Sequence, residues 1–261
     1  MPSKLTPTSL FEPIDHESVS EAVISQIEGL IAAGILKQGR KLPSERELAE
    51  TLNVSRPKLR DALQALEERG LVTTRHGEGS FIAPLTGQAM MPALLDLYGR
   101  HEPAFFDYLE YRREQEGFAA RLAAQRATKA DKERITEILD RLQRAWEEND
   151  PDSSREADYQ LHSAIVDASQ NATLIHIMAS IYHLTRQGVF YNRAYLKSID
   201  GTGKRLLEQH LELGQAVIDG DAERAEKAAL AHLDFVEDSF RTGIERSQRE
   251  AMAEKRRLLS G

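Results

Sequence analysis

The sequence predicts a mainly α-helical chain, with an N-terminal winged helix-turn-helix followed by an antiparallel bundle of six or seven helices. Three observations carry that expectation. Apolar residues recur at helical spacing through most of the 261 residues. The pattern is broken by two short extended runs, 71–74 and 80–83, joined by the Gly-rich turn Arg75-His76-Gly77-Glu78-Gly79. From Ala104 onward no strand pattern returns, only helical stretches separated by short breaks.

Residues 1–16 are polar, contain prolines and are expected to be loosely ordered. Val19, Ala22, Val23, Ile27, Leu30 and Ile31 fit one helical stripe, with Gly29 costing that helix roughly 1 kcal/mol and Gly34 ending it. Ser44 and Glu47 form a Ser-x-x-Glu capping box, so the next helix begins at Glu45. Asn53 takes the left-handed conformation that ends it, and Ser55 is the N-cap of a helix from Arg56 to Arg69. Leu59, Ala62, Leu63 and Leu66 face inward on that helix, which leaves Arg56, Lys58 and Arg60 on the outer side of its first turns. Residues 85–103 form a linker, in which the apolar run 89–98 is expected to make a short helix.

The bundle is expected over 104–247. Its helices are read as 104–127, 129–149, about 153–170, 173–195 with a kink, a fifth ending at Gly220 and a sixth from Ala222 to about Arg246. Residues 248–261 form a charged tail.

Composition excludes several classes. The chain has no cysteine, so neither a disulfide framework nor a thiolate metal site is available. No apolar run reaches the length of a bilayer span, and a cytoplasmic protein is expected. A formal net charge of −8 opposes indiscriminate binding to nucleic acid, so any DNA affinity has to come from a local patch. The candidate patch is Arg46, Arg56, Lys58 and Arg60 together with the wing turn. A recognition helix enters the major groove with its N-terminal residues leading, and Arg suits both guanine and phosphate. The competing reading is a solvated charged face on an ordinary helical pair, and the hairpin that follows disfavours it.

A second constellation lies in the bundle. Asp158 and His162 are four residues apart and share one helix face. His210 lies about ten residues before the turn Asp219-Gly220-Asp221 and His232 about eleven after it, which at ~1.5 Å per residue puts both imidazoles at nearly equal height on antiparallel helices. One carboxylate and three imidazoles suit zinc, and nickel, manganese or iron accept the same set. A lone His on a helix is more often a satisfied core or surface residue, and His16, His101, His176 and His183 are read that way.

These residues also carry a resemblance. LPSERELAETLNVSRPKLRDALQALEERGLV followed by HGEGSFI resembles the DNA-binding domain of the GntR family of bacterial transcription regulators, over residues 17–84. The resemblance implies DNA contacts at Arg46, Ser55, Arg56, Pro57, Lys58, Arg60, His76 and Gly77. Pro57 stands where some members have a small hydroxyl residue, and Glu78 where a basic or small one is common. DYLEYRREQEGFAARLAAQRAT, DYQLHSAIVDASQN and EQHLELGQAVIDGDAERAEKAALAHL resemble the FCD effector-binding domain of the FadR subfamily, over 104–245. That likeness implies metal ligands at Asp158, His162, His210 and His232, and an effector-binding arginine at Arg112. Within the subfamily the chain is most similar to the branch of the pyruvate dehydrogenase complex repressor and lactate-responsive regulators. A 2-oxo or 2-hydroxy acid such as pyruvate or lactate is the effector this implies.

The expected function is therefore DNA-binding transcription regulation without enzyme activity. A homodimeric repressor would bind a palindromic operator and release it in response to a small carboxylate. Two alternatives stand beside it: a metal-responsive regulator, and a metal-dependent hydrolase with a DNA-binding appendage. The second is disfavoured because no Glu or Asp is evidently placed as a general base near the four ligands.

Overall fold

The computed structural model describes residues 19–85, 101–186 and 202–259, which fall into two compact units, Met1–Leu85 and Thr86–Gly261. The expected helix over 89–98 and the second half of the expected helix 173–195 lie outside the described residues, as do His16 and the side chain of His183.

The first unit holds α1 (Val19–Ala32), α2 (Glu45–Leu52), α3 (Arg56–Glu68), β1 (Val72–Arg75) and β2 (Gly79–Ile82). The Ser44 side chain accepts from the Glu47 N–H while Glu47 accepts from the Ser44 N–H, closing the capping box at the start of α2. Asn53 ends α2 at φ 52° in the left-handed region. Ser55 precedes α3 but makes no side-chain cap bond. Pro57 explains part of this, since it removes one of the two N–H groups an N-cap oxygen can serve. Inward residues Ile24, Ile27 and Ile31 of α1 meet Leu59, Ala62 and Leu66 of α3 in one apolar core.

β1 and β2 pair antiparallel with Val72 opposite Ile82 and Arg75 opposite Gly79, one residue later than the expected first strand and one earlier than the second. Residues 39–42 add to the free edge of β2. Leu42 N–H donates to Ser80 O at 2.9 Å, and Ile82 N–H donates to Arg40 O at 2.9 Å. Lys41 is thereby bridged to Phe81 beside the wing, with its side chain still exposed.

The second unit is helical throughout its described residues. It comprises α4 (Glu102–Arg126), α5 (Lys129–Glu147), α6 (Pro151–Ala168), α7 (Ala172–Arg186), α8 (Thr202–Asp219) and α9 (Ala222–Leu259). Pro151 opens α6 two residues before the expected start, because Asp150 caps it through the N–H groups of Asp152 and Ser153, and a proline in the first turn has no intrahelical bond to lose. α9 runs on to Leu259 instead of ending near Arg246. Residues 245–257 are exposed, and ion pairs one turn apart support them: Arg246–Glu250 at 2.9 Å, Arg249–Glu245 at 2.8 Å and Arg257–Glu254 at 2.7 Å.

Two glycines set the closeness of the bundle helices. A Cβ on Gly117 of α4 would lie 2.8 Å from Leu230 Cδ2 of α9, and one on Gly214 of α8 would lie 2.7 Å from Leu139 Cδ2 of α5. Both glycines flank the polar cluster, one residue from Glu116 and one turn from His210. The residues lining the helix contacts around it are small or aliphatic, including Ala120, Ala123, Leu161, Ile165, Leu213 and Ala229.

Candidate functional site

In the first unit the N-terminal turns of α3 present Arg56, Lys58 and Arg60 to solvent, together with Ser55, and α2 exposes Arg46. Burial of Leu59 and Leu63 on the opposite side fixes which face is left for them. Glu45 of α2 reaches across to this face. Its Oε2 accepts from Arg60 Nε at 2.7 Å and lies 3.8 Å from Arg56 Nη2. Lys58 Nζ lies 3.5 Å from Asp61. His76 and Gly77 sit at the exposed hairpin tip, where Gly77 has φ 76° and Gly79 φ 104°, values that favour glycine. Behind the tip the Arg75 guanidinium lies 4.5 Å from the centroid of Phe81, and Lys41 Nζ lies 5.9 Å from the same ring. The sequence pattern had not singled out Arg75 or Phe81. The alternation of β1 and β2 could have done so, because it puts both on one face of the hairpin.

In the second unit four helices deliver a buried polar cluster. His162 comes from α6, His210 from α8, His232 from α9, and Glu116 with Arg112 from α4; each is 5% exposed or less. One ring nitrogen from each of the three imidazoles lies within 4.8 Å of the others. The rings of His210 and His232 are 4.4 Å apart, so the matched heights on either side of the Gly220 turn hold in three dimensions. Asp158 Oδ1 lies 2.8 Å from His210 Nε2 and 3.7 Å from His162 Nε2. The structure therefore groups the three imidazoles, with the aspartate touching two of them.

Glu116 is the member to which sequence reasoning assigned no role. One of its oxygens lies 2.6 Å from His162 Nδ1, and the other accepts from Arg112 through Nε at 2.7 Å and Nη2 at 2.6 Å. The Arg112 guanidinium lies 5.8 Å from the ring of Tyr108 and 5.7 Å from that of Tyr182. Burial raises the Glu116 carboxyl, but Arg112 and then His162 outweigh it and bring it down to about 2. With Glu116 ionised, the His162 proton belongs on Nδ1, and Nε2 turns its lone pair toward His210 and Asp158. Burial pushes the His232 imidazole well below its usual value, reinforced by His210 and His162, so it stays neutral and able to ligate. Three imidazoles converging beside a carboxylate, one of them oriented by a second carboxylate, fit a borderline-soft divalent ion.

No Glu or Asp was expected as a general base near the ligands, and Glu116 is the acid that comes nearest, contacting His162 directly. Its proton affinity is nevertheless too low for a general base, and its oxygens are occupied by Arg112 and His162. Arg113, the neighbour that could be mistaken for Arg112, is part-exposed and pairs with Asp234 at 2.5 Å and with Glu114. His101 is exposed and His176 part-buried on α7, outside the cluster.

Comparison with known proteins follows the same division. Residues 19–82 match the model of the bacterial regulatory proteins of the gntR family, and residues 107–235 match the FCD domain. A protein of Escherichia coli K12 named for regulation of the L-lactate dehydrogenase operon is 35% identical over 89% of this chain and 90% of its own length. The transcriptional regulator LutR of Bacillus subtilis is 37% identical over 80% of this chain and 95% of its own. The Glc operon transcriptional activator of E. coli K12 is 34% identical over 87% and 90%. Family and relatives alike are regulators, so the hydrolase alternative falls. No described helix is long and apolar enough to cross a membrane. With its winged helix-turn-helix and its FCD bundle, the chain belongs to the GntR family and is a DNA-binding transcription regulator rather than an enzyme.

Proposed function

We propose that this regulator is a homodimeric repressor whose hold on a palindromic operator is controlled by a small 2-hydroxy or 2-oxo acid, such as lactate or pyruvate, bound beside a divalent metal. The observation that carries the reading is the convergence of His162, His210 and His232 from three helices into one buried cluster with Asp158 against it. Zinc suits that donor set, with nickel, manganese or iron as other occupants. The ion would supply a Lewis-acidic position for one carboxylate oxygen. Arg112, held in place by its pair with Glu116, would contribute directed N–H groups to the acid's other oxygen. The name of the E. coli relative, which refers to the L-lactate dehydrogenase operon, supports the acid class.

Among the described residues, the cleft lined by Glu116, His162, Tyr182, Leu213 and Ala229 has no void that accepts a water molecule. An acid seated in that cleft would have to open its packing, which would tie binding to a change in the bundle. By linkage, the same acid must bind the free and operator-bound forms unequally if it is to move the DNA equilibrium.

On the DNA side Arg46, Ser55, Arg56, Lys58 and Arg60 of the two helices, with His76 and Gly77 of the wing, form the reading surface. Replacing Arg56 or Arg60 by Ala is expected to weaken operator binding by about 1–3 kcal/mol each while leaving the melting temperature nearly unchanged, since both are well exposed. Gel-shift titrations on the zinc-loaded protein, with and without lactate or pyruvate, test the rest. Operator release by an acid only when metal is present supports the reading; release that follows free metal at constant acid would make the ion the signal instead.

A further inference from the structure

The pairing of Arg112 with Glu116 bears on which acids the pocket accepts, and the argument rests on the metal-and-carboxylate reading above. Arg112 and Glu116 are both 4% exposed and face each other through two short contacts to a single oxygen, so they enter any account of the pocket as a cancelled pair. The three imidazoles are buried beside them and stay neutral when they ligate. Among the described residues, Asp158 offsets one of the two charges of a divalent ion, leaving a surplus of one positive charge. Arg113 adds nothing, since it points to the surface and is closed on Asp234 and Glu114.

We infer that Glu116 is a specificity-determining residue: by cancelling Arg112 it leaves the ion-loaded pocket one positive charge, matched by a monocarboxylate and mismatched by a dicarboxylate. A bound monoanion makes the buried set neutral. A dianion leaves an uncompensated negative charge away from water, where isolated charge is strongly penalised. Size alone would also discriminate against longer acids, so the test must hold shape constant. Malate and its 4-amide share size and the 2-hydroxy carboxylate and differ by one charge.

The experiment is calorimetric titration of both compounds into the full-length zinc-loaded protein, with zinc content measured on each sample. The wild-type protein is expected to bind the amide at least tenfold more tightly than malate. Glu116→Gln, which keeps the size of the side chain and one acceptor oxygen while removing its charge, should narrow that ratio at least tenfold or reverse it while zinc is retained. Malate binding as tightly as its amide in the wild type overturns the inference by itself, even if the variant folds poorly or loses zinc. An unchanged ratio in zinc-loaded Glu116→Gln overturns it as well. Binding of neither compound to zinc-loaded wild type overturns the carboxylate-site reading and this inference with it, a result distinguishable from the other two.

Discussion

Among the described residues, the winged unit buries only hydrophobic side chains, from Val23 to Ala83, and carries its candidate contacts Arg56, Lys58 and Arg60 in solvent. The bundle does the reverse, burying Arg112, Glu116, His162, His210 and His232 along with its aliphatic core. The difference follows from where the partner comes from. A duplex arrives from outside and meets hydrated cations, which cost the fold little to display. An ion or small acid is held inside, and the groups that hold it must first be taken out of water at a cost to stability. Buried polar clusters of this kind are therefore better evidence of function than exposed charges.

The sharpest way to divide the two units is to damage one core at a time. Leu59 of α3 and Leu161 of α6 are both fully buried. Leu59→Ala should cost about 2–5 kcal/mol and abolish operator binding while zinc binding persists; Leu161→Ala should cost a similar amount and loosen the metal site. Differential scanning calorimetry with metal titration reads both. Loss of zinc binding in Leu59→Ala would show that the units do not divide the work as described.

Acid should separate them next. Glu116 has its folded pKa lowered to about 2, so the stability it contributes is complete above the unfolded value near 4.5 and lost as pH falls toward 2. His232 is also lowered when folded, so the unfolded chain takes up its proton first, and stability drops as pH falls below about 6.5. Both act in the same direction and both lie in the bundle. In metal-free protein the bundle should lose stability steadily from pH 7 to pH 4, followed by near-UV circular dichroism of Trp146 and the bundle tyrosines. A flat profile over that window would mean the cluster is not charged as its geometry implies.

The smallest effects should be equal in the two units, because both use the same device. Ser44 caps α2 through Glu47, and Thr128 caps α5 through Asp131. Replacing either by Ala should cost about 1 kcal/mol in chemical denaturation, with operator affinity disturbed only by the first.

Much of this architecture could be read along the chain because its signals are local. The Ser44 capping box, the left-handed Asn53 and the Gly-rich hairpin each depend on residues within a few positions of one another. His210 and His232 were accessible by counting outward from the turn at Gly220, and His162 by its spacing from Asp158. Glu116 was not, because its contact with His162 joins α4 to α6 across 46 positions, and no periodicity encodes which face of α4 meets which face of α6. Gly117 and Gly214 escaped for the same reason, since their value lies in the helix that approaches them. The start of α6 was placed two residues late because a proline marks both the end of one helix and the first turn of the next.

One long element couples the buried cluster to the far end of the bundle. α9 carries His232 and continues unbroken for 27 further residues to Leu259, an arm of about 40 Å at 1.5 Å per residue. A rod of that length is a lever: a tilt of about 5° pivoting at His232 would sweep its tip by roughly 3.5 Å. Sub-ångström adjustments around a bound ion would thus reach the surface as displacements large enough for another molecule to feel.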